Sequence, residues 1–158
     1  MPSKADRIRS WRAGRRLALA ALYEADFGHR TAQAALERQL AETEGDPEAA
    51  ALARTIVAAV VAHRDEIDRL IETHAPLYPV VQLAPIDRAL LRGAIGEVLH
   101  SATPTRVAVA EWVELARAYS GEPARRLLNG VVGRIVSEES GSPTPQAGDS
   151  SPRSGGPP

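Results

Sequence analysis

Apolar residues return every three or four positions along most of this chain, and each break in that rhythm carries proline or glycine. The breaks read EGDP at 44–47, APLYPVVQLAP at 75–85, ATPT at 102–105 and SGEP at 120–123. A spacing of three and four lines one face of an α-helix, whereas a half-buried strand needs alternation. Proline just inside a helix start gives up a donor that has no partner there, so these joints read as helix boundaries. A first helix is expected from Ser10 to Phe27 with Gly28 as its stop, and a second with Thr31 as its cap and Leu36 and Leu40 on one face. Asp46 then caps a helix whose first residue is Pro47, and its apolar series runs through Leu52, Ile56, Val60, Ile67, Leu70 and Ile71, with a bend near His63. A further helix starts near Pro85. RVAVAEWVELARAY at 106–119 and the segment after Pro123 supply two more. Val107, Val109 and Val113 are strand-like in type, but Glu111, Glu114 and Arg117 place them on an amphipathic helix.

Composition agrees with that spacing. Only 4% of residues are aromatic while 44% are hydrophobic, and Ala and Leu do most of the filling, which suits helix-on-helix packing. The expected fold is all-α, with six to seven helices. With 158 residues, the chain is long enough for one buried core. The expected organisation is a basic N-terminal arm at 1–8, a helical domain at 9–137, and a disordered Ser/Gly/Pro-rich tail at 138–158. There is no cysteine, which removes disulfides, thiolate catalysis and Cys-based metal sites and fits a cytoplasmic protein. No apolar run is long enough to span a bilayer, so no membrane partner is expected.

The formal charge is −1, but residues 1–16 hold six cationic side chains against Asp6 alone, a net of +5. At about 100° per residue, Arg12, Arg15, Arg16, Leu19 and Tyr23 share about a third of a helix circumference. Guanidinium forks with an aromatic ring along one face are what single-stranded RNA asks of a protein surface. A solvated face, or pairing with carboxylates elsewhere in the chain, is the alternative for such a cluster. The four histidines, His29, His63, His74 and His100, form no HExxH pair or other tight ligand spacing, so no metal is expected. No nucleophile elbow, P-loop or dinucleotide loop is present. Pairs such as Asp65 with Glu66 and Glu138 with Glu139 read as solvated faces. The expectation is a protein that is not an enzyme, with no catalytic residue and no cofactor.

Three segments, in order, are RRLALAALYEAD at 15–26, LAPIDRALLRGAIGEVL at 83–99 and VAVAEWVELARAYSGEPARRLLNGVVGRI at 107–135. Their P-x-D-R-x-x-L-R, V-A-x-x-E-x-V-E-L-A-R and L-N-G-V-x-G patterns, and the Arg-rich approach to ALY, resemble the NusB family of transcription antitermination factors. The resemblance implies two small perpendicular helical bundles. It also implies binding to the boxA element of ribosomal RNA leader transcripts together with NusE, a small-subunit ribosomal protein, within an RNA polymerase antitermination complex.

By that resemblance Arg12, Arg15 and Arg16 contact RNA while Tyr23 and Asp87 contact the partner; Arg9 and Tyr23 complete the expected RNA-contacting set, and Leu127 the expected partner-contacting set. The chain departs from the family pattern at four places. Leu127 replaces a frequent aromatic, Tyr78 a tryptophan, Gln82 an arginine and Pro123 an acidic residue. Two other readings stand beside this one: a homodimer built on Leu19 and Leu22 beside Tyr23, and an accessory relative of the helical domain fused to some ribosomal RNA cytosine methyltransferases.

Overall fold

A computed structural model describes residues 1–141. It contains seven α-helices and, among the described residues, no strand: α1 (Lys4–Ala25), α2 (Ala32–Glu42), α3 (Pro47–Ala62), α4 (Arg64–His74), α5 (Pro85–His100), α6 (Thr105–Tyr119) and α7 (Glu122–Glu139). A single 3₁₀ turn at Val80–Gln82 shapes the proline-rich connection before α5. The expected tail lies outside the described residues from 142 onward, and α7 carries the helix to Glu139, past the expected end at 137.

The capping signals act as their chemistry requires. Thr31 accepts from the Ala34 amide at 3.1 Å and Asp46 from the Glu48 amide at 2.9 Å, each satisfying a first-turn donor that has no partner within its helix. Gly28 adopts φ +79° after α1, a conformation that favours glycine. The α3 helix ends at Ala62 and α4 begins at Arg64, so the bend expected near His63 is a full break.

The start of α1 corrects the sequence expectation. Ser3, not Ser10, is the N-cap, and a capping box with Asp6 closes the first turn, so residues 4–8 are helical rather than an arm. Ser10 instead donates its hydroxyl to Asp46, tying α1 to the cap of α3. That contact, with the capping amide of Glu48, holds the Asp46 carboxyl below its usual range.

Helices α1, α2 and α3 pack on one another, as do α4, α5, α6 and α7, and α5 also lies against α1 and α3. One continuous apolar core results, running from Leu19 and Leu36 through Ile56, Ile67, Leu90 and Ile95 to Leu128 and Ile135. Close helix approach is built into the sequence. A Cβ on Gly14 would stand 2.7 Å from the Ala49 carbonyl oxygen, and one on Gly93 2.4 Å from the Trp112 ring. Leu19 and Leu22 are both spent on this core, so the apolar face proposed for self-association is not at the surface.

Two sequence motifs meet at the junction of the two groups of helices. Asp26, at the end of ALYEAD, accepts from Arg88 Nε at 3.0 Å and from Arg92 Nη1 at 3.4 Å, joining it to PIDRALLR. Arg88 also donates to the Val80 and Val81 carbonyls, and Arg92 forms a forked pair with Asp68 on α4. The paired arginines of the signature therefore hold α1, the 3₁₀ turn, α4 and α5 together.

Candidate nucleic-acid interface

The α1 helix presents two faces of opposite character. On the inner face, Arg15 is 2% exposed and points into the core. Its Nε donates to Glu97 Oε1 at 2.8 Å and its Nη2 to Oε2 at 2.7 Å, a bidentate pair with a carboxylate that is itself fully buried. The indole Nε1 of Trp112 donates to the same Oε1 at 2.8 Å. One carboxylate thus ties α1, α5 and α6, and Gly93, one turn before Glu97 on α5, leaves the space the indole fills. Arg15, expected among the RNA-contacting residues, is corrected to a core residue. Desolvating a guanidinium requires a charged, hydrogen-bonded partner, and Glu97 supplies it away from solvent.

The outer face carries Arg9, Arg12, Arg16, Ala20 and Tyr23, all exposed. At 100° per residue these fall within about 80° of one another and extend over roughly 21 Å of helix. Arg9 makes only a 3.4 Å contact with Asp6. Arg12 pairs with Glu111 on α6 through Nε at 2.9 Å and Nη2 at 3.2 Å, which leaves Nη1 uncommitted and raises the guanidinium pKa further. Arg16 has no polar partner among the described residues. An open groove between α1 and α6 is lined by Arg12, Arg16, Glu111 and Leu115, with Arg15 reaching its floor and Arg117 paired there with Glu114 at 2.8 Å. At the far end of the stripe the Tyr23 ring meets Phe27 edge-on, with centroids 5.1 Å apart and planes at 78°. Both rings remain substantially exposed.

Asp87 and Leu127 come together on the other side of the molecule's joint. They flank one shallow groove between α5 and α7, with Leu90 and Ala124. Ser120, at the end of α6, donates to Asp87 Oδ1 at 2.6 Å. The next residue, Gly121, has φ +106°, so a glycine makes the turn that brings Ser120 there. Leu127 also lines a neighbouring hollow with Tyr78, Arg126 and Arg134. Tyr78, Gln82 and Pro123 are not buried; Pro123 occupies the first turn of α7. Two of the three residues expected to contact the partner, Asp87 and Leu127, thus border the same depression. Tyr23 lies one turn before Asp26, the carboxylate that binds Arg88 beside Asp87.

One constellation escaped sequence spacing. His63, between α3 and α4, and His100, at the end of α5, stack with ring centroids 3.6 Å apart beside Glu66. Local ligand spacing could not find it because the two histidines lie on different helices.

Comparison with known proteins places these features in a group. A sequence profile of the NusB family matches residues 12–137. The transcription antitermination protein NusB of Symbiobacterium thermophilum is 40% identical over 136 residues, covering 80% of this chain and 89% of that protein. The protein of the same description from Dehalococcoides mccartyi strain 195 is 39% identical over 127 residues, with the same coverage. Among solved structures, NusB of T. maritima aligns with a TM-score of 0.72 at 29% identity, covering 80% of this chain and 90% of that one. A chain from the crystal structure of antitermination factors NusB and NusE in complex with dsRNA shares the fold, with a TM-score of 0.74 at 24% identity, covering 82% and 98%.

Proposed function

This chain belongs to the NusB family of transcription antitermination proteins, and we propose that it binds boxA-type single-stranded leader RNA through the outer face of α1. It does so together with NusE, as part of an RNA polymerase antitermination complex. The observation that carries this reading is the exposed stripe of Arg9, Arg12, Arg16 and Tyr23 on a helix whose adjoining inward edge is fixed by the Arg15–Glu97 pair.

Arg16 is free to fork onto a phosphate, and Arg12 keeps one nitrogen available while Glu111 holds its other two. Tyr23, one face and two turns further on, offers a ring on which an unpaired base can stack. Arg15 acts as a positioning residue: it fixes the rotation of α1 and so the direction its neighbours point. The NusE contact is assigned to Tyr23 and to the groove at Asp87 and Leu127, a carboxylate beside an apolar strip. Leu127 supplies apolar area there without a stacking ring.

Fluorescence anisotropy with a labelled boxA RNA, titrated with this protein alone and with NusE from the same organism, tests the reading. Binding should tighten when NusE is present and should prefer boxA over a scrambled RNA. Affinity should fall with log salt at a slope of about 0.7 per phosphate contact. Equal binding to both RNAs, or no response to NusE, overturns it.

A further inference from the structure

We propose that His63, Glu66 and His100 form a binding site for a borderline divalent transition ion, with zinc the best match. His63 is the break residue between α3 and α4 and makes no capping hydrogen bond through its side chain. Glu66 follows one turn later in α4, and His100 is the last residue of α5. His63 Nδ1 lies 3.4 Å from Glu66 Oε2, and His100 Nε2 lies 4.0 Å from the same oxygen. One donor atom from each of the three residues falls within 4.8 Å of the other two. Bonds of about 2.0–2.1 Å in a tetrahedron place ligand atoms about 3.4 Å apart; the His63–Glu66 pair already has that spacing, and the other donors must close in from 4.0 Å and up to 4.8 Å.

A second observation points the same way. His100 Nε2 is buried and has no hydrogen-bond partner among the described residues, a nitrogen removed from water with nothing in exchange. The two imidazoles stack at 3.6 Å with planes 7° apart, so their nitrogens already lie side by side, and taking up one ion requires the stack to open until both in-plane lone pairs meet it. The two histidines are brought together by a close helix approach. Gly96, one turn before His100, approaches α3 so closely that a Cβ there would sit 2.8 Å from Val60 Cγ2.

The donor set decides the ion class. Two imidazoles and one carboxylate suit zinc, nickel or copper, while magnesium and calcium ask for oxygen ligands. Glu66 and His63 are both partly exposed, which leaves the fourth position to water. Bound there, the ion would tie the α3–α4 break to the C-terminal end of α5, a link between the two groups of helices distinct from the Asp26 junction.

The test uses the untagged full chain, stripped with chelator and titrated calorimetrically with zinc chloride and, separately, magnesium chloride. Cobalt(II) serves as the visible-absorption probe. The expected result is one zinc per chain at micromolar concentration, a raised melting temperature with zinc but not magnesium, and the strong visible bands of tetrahedral cobalt. His63→Ala and His100→Gln should each weaken uptake beyond the ~10–100-fold typical of losing an outer-shell partner. Glu66→Gln, on an exposed side chain, provides the same comparison if either histidine variant melts early. Zinc uptake only at millimolar concentration overturns the site, as does uptake unchanged in the His63→Ala/His100→Gln double variant.

Discussion

The inner and outer faces of α1 use the same side chain for opposite ends. Arg15 on the inner face is enclosed with Glu97 and Trp112, while Arg16, its neighbour in sequence, is exposed with no polar partner among the described residues. The inner arginine is costly to remove because its partner carboxylate is sealed in the core. The outer ones are nearly free to remove as far as folding is concerned, since exposed charges contribute little to stability. A count of positive charge along α1 therefore mixes a structural cation with interaction cations. Burial separates them: a charge the fold depends on is unavailable to a ligand, and a charge available to a ligand is one the fold can spare.

The sharpest way to break the comparison is Glu97→Gln. The amide oxygen can still accept from Trp112, but Arg15 is left as an uncompensated buried cation. We expect a loss of about 3–5 kcal/mol in urea unfolding. A loss near zero would mean that Arg15 swings out to solvent and that the two faces are not distinct. Gly93→Ala should follow, at about 1–3 kcal/mol by thermal melting, because the added methyl meets the Trp112 ring at 2.4 Å and forces the indole off the carboxylate.

Arg16→Ala should leave the melting curve within about 0.5 kcal/mol of the parent. In salt titrations of RNA binding it should lower the slope by about 0.7, the share of one phosphate contact. Retention of the full slope would remove Arg16 from the interface. The smallest effect belongs to Glu111→Gln. It releases Arg12 from an exposed pair that contributes little to folding, and boxA affinity in the anisotropy assay should rise as Arg12 gains freedom to reach phosphate. A fall in affinity would show that Glu111 aims Arg12 rather than competing for it.

Much of the fold was legible because helix signals are local. Proline at 47, 85 and 123 stands in the first turn of its helix, and Thr31 and Asp46 cap as their chemistry predicts. The true start of α1 was legible too, in the Ser3-x-x-Asp6 spacing of a capping box, but the apolar run beginning nearer Ser10 drew attention from it. The site was only half legible. A helical wheel groups Arg12, Arg15, Arg16, Leu19 and Tyr23 but does not say which edge of that arc faces inward.

The answer for Arg15 depends on Glu97 and Trp112, far along the chain. The one local hint is an acidic residue set within the apolar GAIGEVL stretch, where it needs a cationic partner. Asp26 with Arg88 and Arg92, and His63 with His100, escaped for the same reason. Each joins residues whose meeting depends on how helices pack rather than on their own periodicity.

The buried carboxylate also imposes a schedule on synthesis. Helix α1 leaves the ribosome before α5, so its inner arginine has no counter-charge until α5 is made and no complete enclosure until Trp112 follows. At ~5–20 residues per second, that interval is on the order of 5–20 s. Through it α1 can pack only on α2 and α3, with the inner guanidinium still lacking its carboxylate.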